Sequence, residues 1–297
     1  MAIFTGSGVA IVTPFNKDLS INFDQLRNLI DFQIENGTDC IVICGTTGEA
    51  STLTDAEQLE CIRVTVEQTN KRVPIIAGAG SNDTNHGIAL SRKTAALGVD
   101  GLLHVTPYYN KTTQKGLIEH FTAIASSVDV PIVLYNVPSR TGLNISPQAA
   151  ATLSHIENIV AVKEASGNIS HIIDTVKRCE GRLDLYSGND DQILPLLSLG
   201  GLGVISVIAN ILPRETHNIV ELFMKGDLKG SLEQQLKMHG LIDALFCETN
   251  PIPIKAALSL MGPKYDSGIG RRPLTTMEPA HLELLKTEMK NYGMSII

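Results

Sequence analysis

The sequence predicts an α/β fold, a (β/α)8 TIM barrel with a C-terminal helical extension. Three observations carry this. Eight short segments rich in Val, Ile and Leu recur along the chain. Helical patterns separate them, giving units of roughly 20 to 35 residues. The first strand is not followed by the glycine fingerprint of a doubly wound dinucleotide fold, because the glycines of "GSGVAIVTP" precede it.

The strands read, in order, as "SGVAIVTPF" from Ser7, "DCIVICG" from Asp39, "VPIIAGAG" from Val73 and "DGLLHVTP" from Asp100, then "VPIVLYNVP" from Val130, "NIVAVKEAS" from Asn158, "LDLYSGND" from Leu183 and "GVISVIAN" from Gly203. Each is short and ends in Gly, Pro, Asn or Thr. Near-continuous apolar runs suit parallel strands covered on both faces. The first helix, "NFDQLRNLIDFQIENG", carries Phe23, Leu26, Leu29, Ile30 and Ile34 as one stripe and stops at Gly37. In "TDAEQLECIRVTVEQTNK", Thr54 and Glu57 have the spacing of a capping box. "SNDTNHGIALSRKTAALG", "TTQKGLIEHFTAIASSV", "SPQAAATLSHI" and "NISHIIDTVKRCEG" repeat the pattern, with Pro147 in a first helical turn. These units account for residues 1–226. Residues 227–297 contain "DLKGSLEQQLKMHGLIDALFCE", "PIPIKAALSLMG" and "MEPAHLELLKTEMKNYG", which read as three further helices packed on the barrel.

Composition narrows the function. The chain has 297 residues, 43% of them hydrophobic, and can bury a large core. A net charge of -7 and a pI near 5.6 argue against a nucleic-acid surface. The absence of an apolar run of spanning length argues against a membrane protein, and the N-terminus lacks the basic leader of a signal peptide. Five cysteines at irregular spacing, without a CxxC, suggest reduced thiols and a cytoplasmic setting. Cys40 and Cys44, four apart in one strand, are expected to face one side as core. The eight histidines form no HxH or HExxH pattern, so no metal is expected.

The sixth strand raises the chemical question. In "NIVAVKEASGN", Lys163 interrupts an apolar run, and lysine is rarely buried unless it is paired or used. Alternation puts Ile159, Ala161 and Lys163 on one face, and Val160, Val162 and Glu164 on the other. An inward Lys163 near the C-terminal end of its strand enters the barrel mouth, where enzymes of this fold place their active sites. Desolvation favours the neutral amine, the nucleophile that condenses with a ketone. Other polar groups end on the same mouth: Thr46 and Thr47 in "CGTTGEAS", Tyr108 and Tyr109 in "TPYYN", Tyr135 and Arg140 in "LYNVPSRTG", and Gly188 in "YSGND". Hydroxyls there can relay protons, and a guanidinium can clamp a keto-acid carboxylate. Each has a plainer alternative: Tyr135 as packing, Arg140 as a surface charge, "GTTGE" as a tight turn, Lys163 as a snorkelling strand end. Their shared position favours the chemical reading.

Together, "CGTTGEAS", "TPYYNK", "YNVPSRTG", "VAVKEASGN" and "NPIPIK", in this order and spacing, resemble the dihydrodipicolinate synthase family from about Ser7 to the C-terminus. The resemblance implies a lysine-dependent, pyruvate-using lyase of lysine and diaminopimelate biosynthesis. It implies condensation with L-aspartate 4-semialdehyde to give 4-hydroxy-tetrahydrodipicolinate, with no cofactor. Lys163 matches the Schiff-base lysine, Tyr135 the proton-relaying tyrosine and Thr47 the threonine beside it. Tyr109 matches a tyrosine reaching in from a neighbouring subunit of a homotetramer, a dimer of dimers. Arg140 matches the carboxylate-holding arginine, and Thr46, Gly188 and Ile205 match the pyruvate pocket. Ser51, Asn82 and Tyr108 match the family's lysine-inhibition site.

Two departures stand out. His86 replaces a glutamate common in lysine-sensitive members, and Asp55 and Gln58 replace histidines, so weak or absent lysine feedback is expected. "GRRPL" at Gly270–Leu274 replaces the usual Arg-Leu-Pro-Leu, which leaves Arg272 without an assigned role. The nearest alternatives are N-acetylneuraminate lyase and 2-keto-3-deoxy sugar acid aldolases, which share the lysine and tyrosine; "GTTGE" and Arg140 favour the synthase. A non-catalytic keto-acid sensor would lack the lysine or tyrosine. A nicotinamide- or phosphate-binding barrel would carry a glycine-rich loop after the seventh or eighth strand.

Overall fold

The eight apolar segments form eight parallel strands: β1 Gly6–Ala10, β2 Cys40–Ile43, β3 Ile75–Gly78, β4 Gly101–Val105, β5 Ile132–Asn136, β6 Ile159–Glu164, β7 Asp184–Ser187 and β8 Gly203–Ser206. The structure, a computed structural model describing residues 2–297, pairs them in chain order and closes β8 onto β1. Side chains alternate as a closed parallel sheet requires. Ala10, Cys40, Val42, Ile76, Leu103, Val133, Ala161 and Ile205 fill the interior. Val9, Ile41, Ile43, Ile75, Leu102, Leu134, Val162 and Val204 face the helices. Phe4 stacks on Tyr186 with ring centroids 4.4 Å apart, and the Tyr186 hydroxyl donates to the Phe4 carbonyl at 2.6 Å.

Alternation fails at two places. Pairing of β5 with β6 steps from Ile132↔Ile159 to Val133↔Ala161, so Val160 is an extra residue, a β-bulge. Ile159 therefore lies in the outer layer, not on the face of Ala161 and Lys163 as strict alternation predicts. Cys40 and Cys44 do not share a side either. Cys40 is interior, whereas Cys44 lies past the end of β2 with φ +54°, and this left-handed turn swings it outward.

Helices follow the strands: α1 Phe23–Glu35, α2 Asp55–Thr69, α3 Thr84–Ala95, α4 Gln114–Ala125, the turn α5 Pro138–Thr141, α6 Pro147–Leu153, α7 Ile169–Cys179, α8 Ile193–Leu197 and α9 Pro213–Met224. The capping box of α2 forms: the Glu57 N–H donates to Thr54 Oγ1 at 3.2 Å, and the Thr54 N–H donates to Glu57 Oε2 at 2.9 Å. The helix α8 has only five residues, too few to show a helical period. Three more helices follow, α10 Leu228–Leu245, α11 Ile252–Leu260 and α12 Pro279–Tyr292. Their buried residues, among them Met238, Leu241, Ile254, Leu258, Leu285 and Met289, join the same core as the outer barrel layer.

One buried group makes this fold acid-sensitive. His104 on β4 is fully buried against α3. Ser91 donates its hydroxyl proton to the Gly87 carbonyl, so His104 Nε2 donates to Ser91 Oγ at 3.2 Å, and Nδ1 has no partner. Burial, with the charge of nearby His120, lowers the His104 pKa from 6.5 to about 3. A depressed histidine contributes stability that is full above 6.5 and is lost as pH falls toward 3. The expected result is a fall in the urea midpoint between about pH 7 and about pH 5, worth roughly 2 kcal/mol for this group. His104→Gln should lessen that fall.

Candidate active site at the C-terminal mouth of the barrel

β6 carries Lys163 between two tyrosines in register, Tyr135 on β5 and Tyr186 on β7. Lys163 is 6% exposed, and its Nζ sits 4.3 Å from the centroid of the Tyr135 ring. Among the described residues no carboxylate pairs with it and no side-chain hydrogen bond engages it. The aromatic face is the cation's near neighbour. Gly188 makes room for the side chain: a Cβ there would lie 3.1 Å from Lys163 Cε and 2.8 Å from Ala165 Cβ.

The loop after β2 brings Thr46 and Thr47. It turns tightly because Gly78 on β3 leaves space; a Cβ on Gly78 would lie 2.0 Å from the Cys44 carbonyl oxygen. Glu49 closes the turn in the left-handed region, φ +56°. Its carboxylate is buried and takes Lys255 Nζ at 2.6 Å and the Arg271 N–H at 2.9 Å. The Lys255 side chain comes from α11, so the extension holds the loop. Desolvation lowers the pKa of Lys255 against the opposing pull of Glu49. Arg271 continues the clamp. Its guanidinium donates to both oxygens of Glu57 and to the Leu19 and Thr52 carbonyls. The Arg271 hydrogen bond holds the Glu57 carboxyl at about 2. Arg272 is exposed and makes no such bond.

The loop after β5 brings Arg140. Asn136, at the end of β5, donates to Glu164 Oε2 at 2.9 Å and to Asn144 Oδ1 at 2.7 Å, and its Oδ1 accepts the Ile145 N–H. Glu164, on the outer face of β6, thus fixes the return of the Arg140 loop. A cavity of about 430 Å³ opens between the loops, lined by Thr46, Ser51, His86, Tyr108, Tyr135 and Arg140 among others.

Of the residues singled out in sequence, Lys163, Tyr135 and Gly188 meet at one point. Thr46, Arg140, Tyr108 and Ser51 share the cavity with Tyr135. Ile205 is fully buried in the β8 wall. Thr47 is buried, and its Oγ1 accepts from Asn250 Nδ2 at 2.9 Å. Asn82 braces the tyrosine loop from outside, donating to the Tyr108 carbonyl at 3.1 Å and accepting from Asn110. Tyr109 stands apart: it is 92% exposed, has φ +71° and does not line the cavity. Sequence reasoning missed Asn250, the Glu49–Lys255 pair and Asp190. Asp190 is buried just beyond β7 and accepts the Val207 and Ile208 N–H groups, fastening the exit of β8; burial raises its pKa. "NPIPIK" and "YSGND" were the available signals, but neither says what its residues touch.

Fold and mouth define a class, a (β/α)8 enzyme presenting a buried lysine at the catalytic end of its barrel. Residues 3–292 match the model of the dihydrodipicolinate synthetase family. A 4-hydroxy-tetrahydrodipicolinate synthase of Lachnoclostridium phytofermentans is 60% identical, over 99% of this chain and 100% of its own length. The chloride-inhibited dihydrodipicolinate synthase of Acinetobacter baumannii, solved with pyruvate, superposes with a TM-score of 0.95 at 43% identity, covering 98% of this chain and 99% of that one. The enzyme of Cyanidioschyzon merolae, solved with lysine bound, gives 0.95 at 39% identity, covering 99% of each chain. The chain belongs to the dihydrodipicolinate synthetase family.

Breaking one partner of a buried ion pair leaves an uncompensated charge. Lys255→Met is expected to destabilise the protein by about 3–5 kcal/mol, read from denaturant unfolding. The double variant Lys255→Met/Glu49→Gln should recover part of that loss.

Proposed function

We propose that Lys163 forms a Schiff base with pyruvate, through which the chain condenses pyruvate with L-aspartate 4-semialdehyde to 4-hydroxy-tetrahydrodipicolinate, a step toward lysine and diaminopimelate. The observation that carries the roles is the placement of Lys163: inside the barrel, with no carboxylate within bonding distance among the described residues, against Tyr135, with space cleared by Gly188. The neutral amine adds to the ketone of pyruvate, and water leaves to give a cationic imine. The imine draws electrons from the methyl group, which loses a proton and becomes the enamine carbon. That carbon attacks the aldehyde. The amine of the second substrate then displaces Lys163, and the ring closes. Tyr135 and Thr47 hydroxyls move the protons, Arg140 holds a carboxylate, and Thr46, Gly188 and Ile205 shape the pyruvate pocket.

Tyr109 supports an assembly. Its side chain is 92% exposed on a left-handed residue, free to reach another chain. It completes the relay in a neighbouring subunit, which makes a dimer the smallest active unit and a dimer of dimers the reading for the whole. Residues 227–297 act as an extension that depends on the barrel. No helix among the described residues is long and apolar enough to cross a membrane, and the cytoplasm suits the substrates.

The lysine-inhibition positions are altered in a way that favours insensitivity. His86 Nε2 lies 3.0 Å from Asp55 Oδ1, and Nδ1 lies 3.0 Å from Ser81 Oγ. Gln58 is spent on the Gly78 carbonyl at 2.7 Å. The carboxylate that lines the cavity with Ser51 and Tyr108, that of Asp55, is already engaged by the His86 ring.

Lys163→Arg keeps the charge and loses the nucleophile. It should lower kcat by at least about 10³-fold in a coupled assay with both substrates; activity near that of the unaltered enzyme would remove the proposal. Millimolar L-lysine is expected to leave the initial rate unchanged, and half-inhibition below that range would refute insensitivity.

A further inference from the structure

The cavity of about 430 Å³ at the mouth brings together a reactive face, an apolar wall and a cation. Its inner end reaches Tyr135, whose ring centroid lies 4.3 Å from Lys163 Nζ. The wall beside that ring is apolar. Leu103 and Val137 are buried with Tyr135 in the barrel interior, and Val105 packs against them; all three line the cavity. Arg140 lines it too. Its Nη2 donates to the Asn250 carbonyl at 3.3 Å, and among the described residues no carboxylate pairs with its guanidinium. A cavity of this size has room for an acid larger than pyruvate.

We propose a second activity for this mouth: decarboxylation of a 2-oxo acid that carries a carboxylate β to its ketone, with oxaloacetate as the probe. The inference rests on the Schiff-base reading above. In the condensation, the enamine carbon of bound pyruvate forms a bond to an aldehyde carbon. In a bound β-keto diacid, the carbon of the β-carboxylate takes that same place. Lys163 Nζ adds to the ketone and water leaves, giving the cationic imine. The bond between the methylene carbon and the β-carboxylate then breaks. Its electron pair becomes the carbon–carbon double bond of the enamine, the imine pair moves onto nitrogen, and CO2 departs. The methylene carbon takes up a proton, and water cleaves the imine to pyruvate and free Lys163. The balance is one dianion and one proton to one pyruvate and one CO2, with no oxidant or reductant. The apolar wall favours the step, because burial disfavours a carboxylate and not neutral CO2. Arg140 supplies the cation that draws a dianion into the mouth.

The test measures CO2 released from oxaloacetate, with a chelator present to suppress catalysis by metal ions in solution. Release should rise with enzyme concentration, saturate with oxaloacetate, and fall by at least about 10²-fold in Lys163→Arg. Arg140→Met should raise the oxaloacetate KM by about 10-fold, and by more than it raises the pyruvate KM. Borohydride added during turnover, while lactate dehydrogenase and NADH consume free pyruvate, should leave a reduced adduct of pyruvyl mass on the peptide carrying Lys163. Release no faster than in enzyme-free buffer, while pyruvate itself is still trapped on Lys163, would overturn the second activity and leave the Schiff-base reading intact. Failure to trap pyruvate in the unaltered enzyme would sink that reading instead. Full release by folded Lys163→Arg would refute the lysine route, and an unchanged oxaloacetate KM in Arg140→Met would remove Arg140 from it. Should Lys163→Arg fail to fold, as circular dichroism shows, the trapped mass decides: an adduct that keeps the β-carboxylate, or no adduct, contradicts the proposal.

Discussion

An amine held inside the barrel with no carboxylate within bonding distance among the described residues is the constraint on which the rest of this structure depends. Burying an ionisable group unpaired is costly, and most folds answer with a carboxylate. Here the answer is the face of Tyr135, 4.3 Å from the nitrogen. An ion pair would occupy the nitrogen's bonding positions; the aromatic face leaves them open. The glycine at 188 and the bulge at Val160 serve this placement, the first by clearing space and the second by setting which residues of β6 face inward.

The carboxylates that a lysine could have attracted are occupied elsewhere. Glu164, the next residue, points outward and binds Asn136 and the Ser166 N–H. Glu49 is taken by Lys255 and the Arg271 backbone, and Asp190 by the backbone of β8's exit. Each of these buried acids fastens a loop of the mouth. Loops fastened in this way fix where Thr47 and the Arg140 guanidinium stand. The C-terminal extension is part of this machinery, because Asn250, Lys255 and Arg271 all reach the loop after β2 or the helix that follows it.

Most of the fold was legible in the sequence because its signals are local. Eight apolar runs became eight strands, and Thr54 with Glu57 gave the cap they spell. What failed was what depends on neighbours. The bulge at Val160 arises from pairing with β5, so no pattern within "NIVAV" discloses it. Cys44 turned outward because Gly78 lets the backbone enter the left-handed region, a contact between two strands. α8 was too short to carry a period. At the site, Lys163, Tyr135, Gly188 and Arg140 stood at strand ends and could be placed by position alone. Asn250 could not, since its partners lie far away in the chain. Of the two arginines in "GRRPL", Arg271 does the bonding and Arg272 lies exposed, a difference that the sequence does not register.

The most direct test is the mass of the intact protein after incubation with pyruvate and borohydride, followed by peptide mapping. A single reduced pyruvyl adduct on the peptide carrying Lys163 is the predicted result. Folded protein that gains no adduct in excess pyruvate, or gains one on another lysine, would contradict the account and return Lys163 to a packing role.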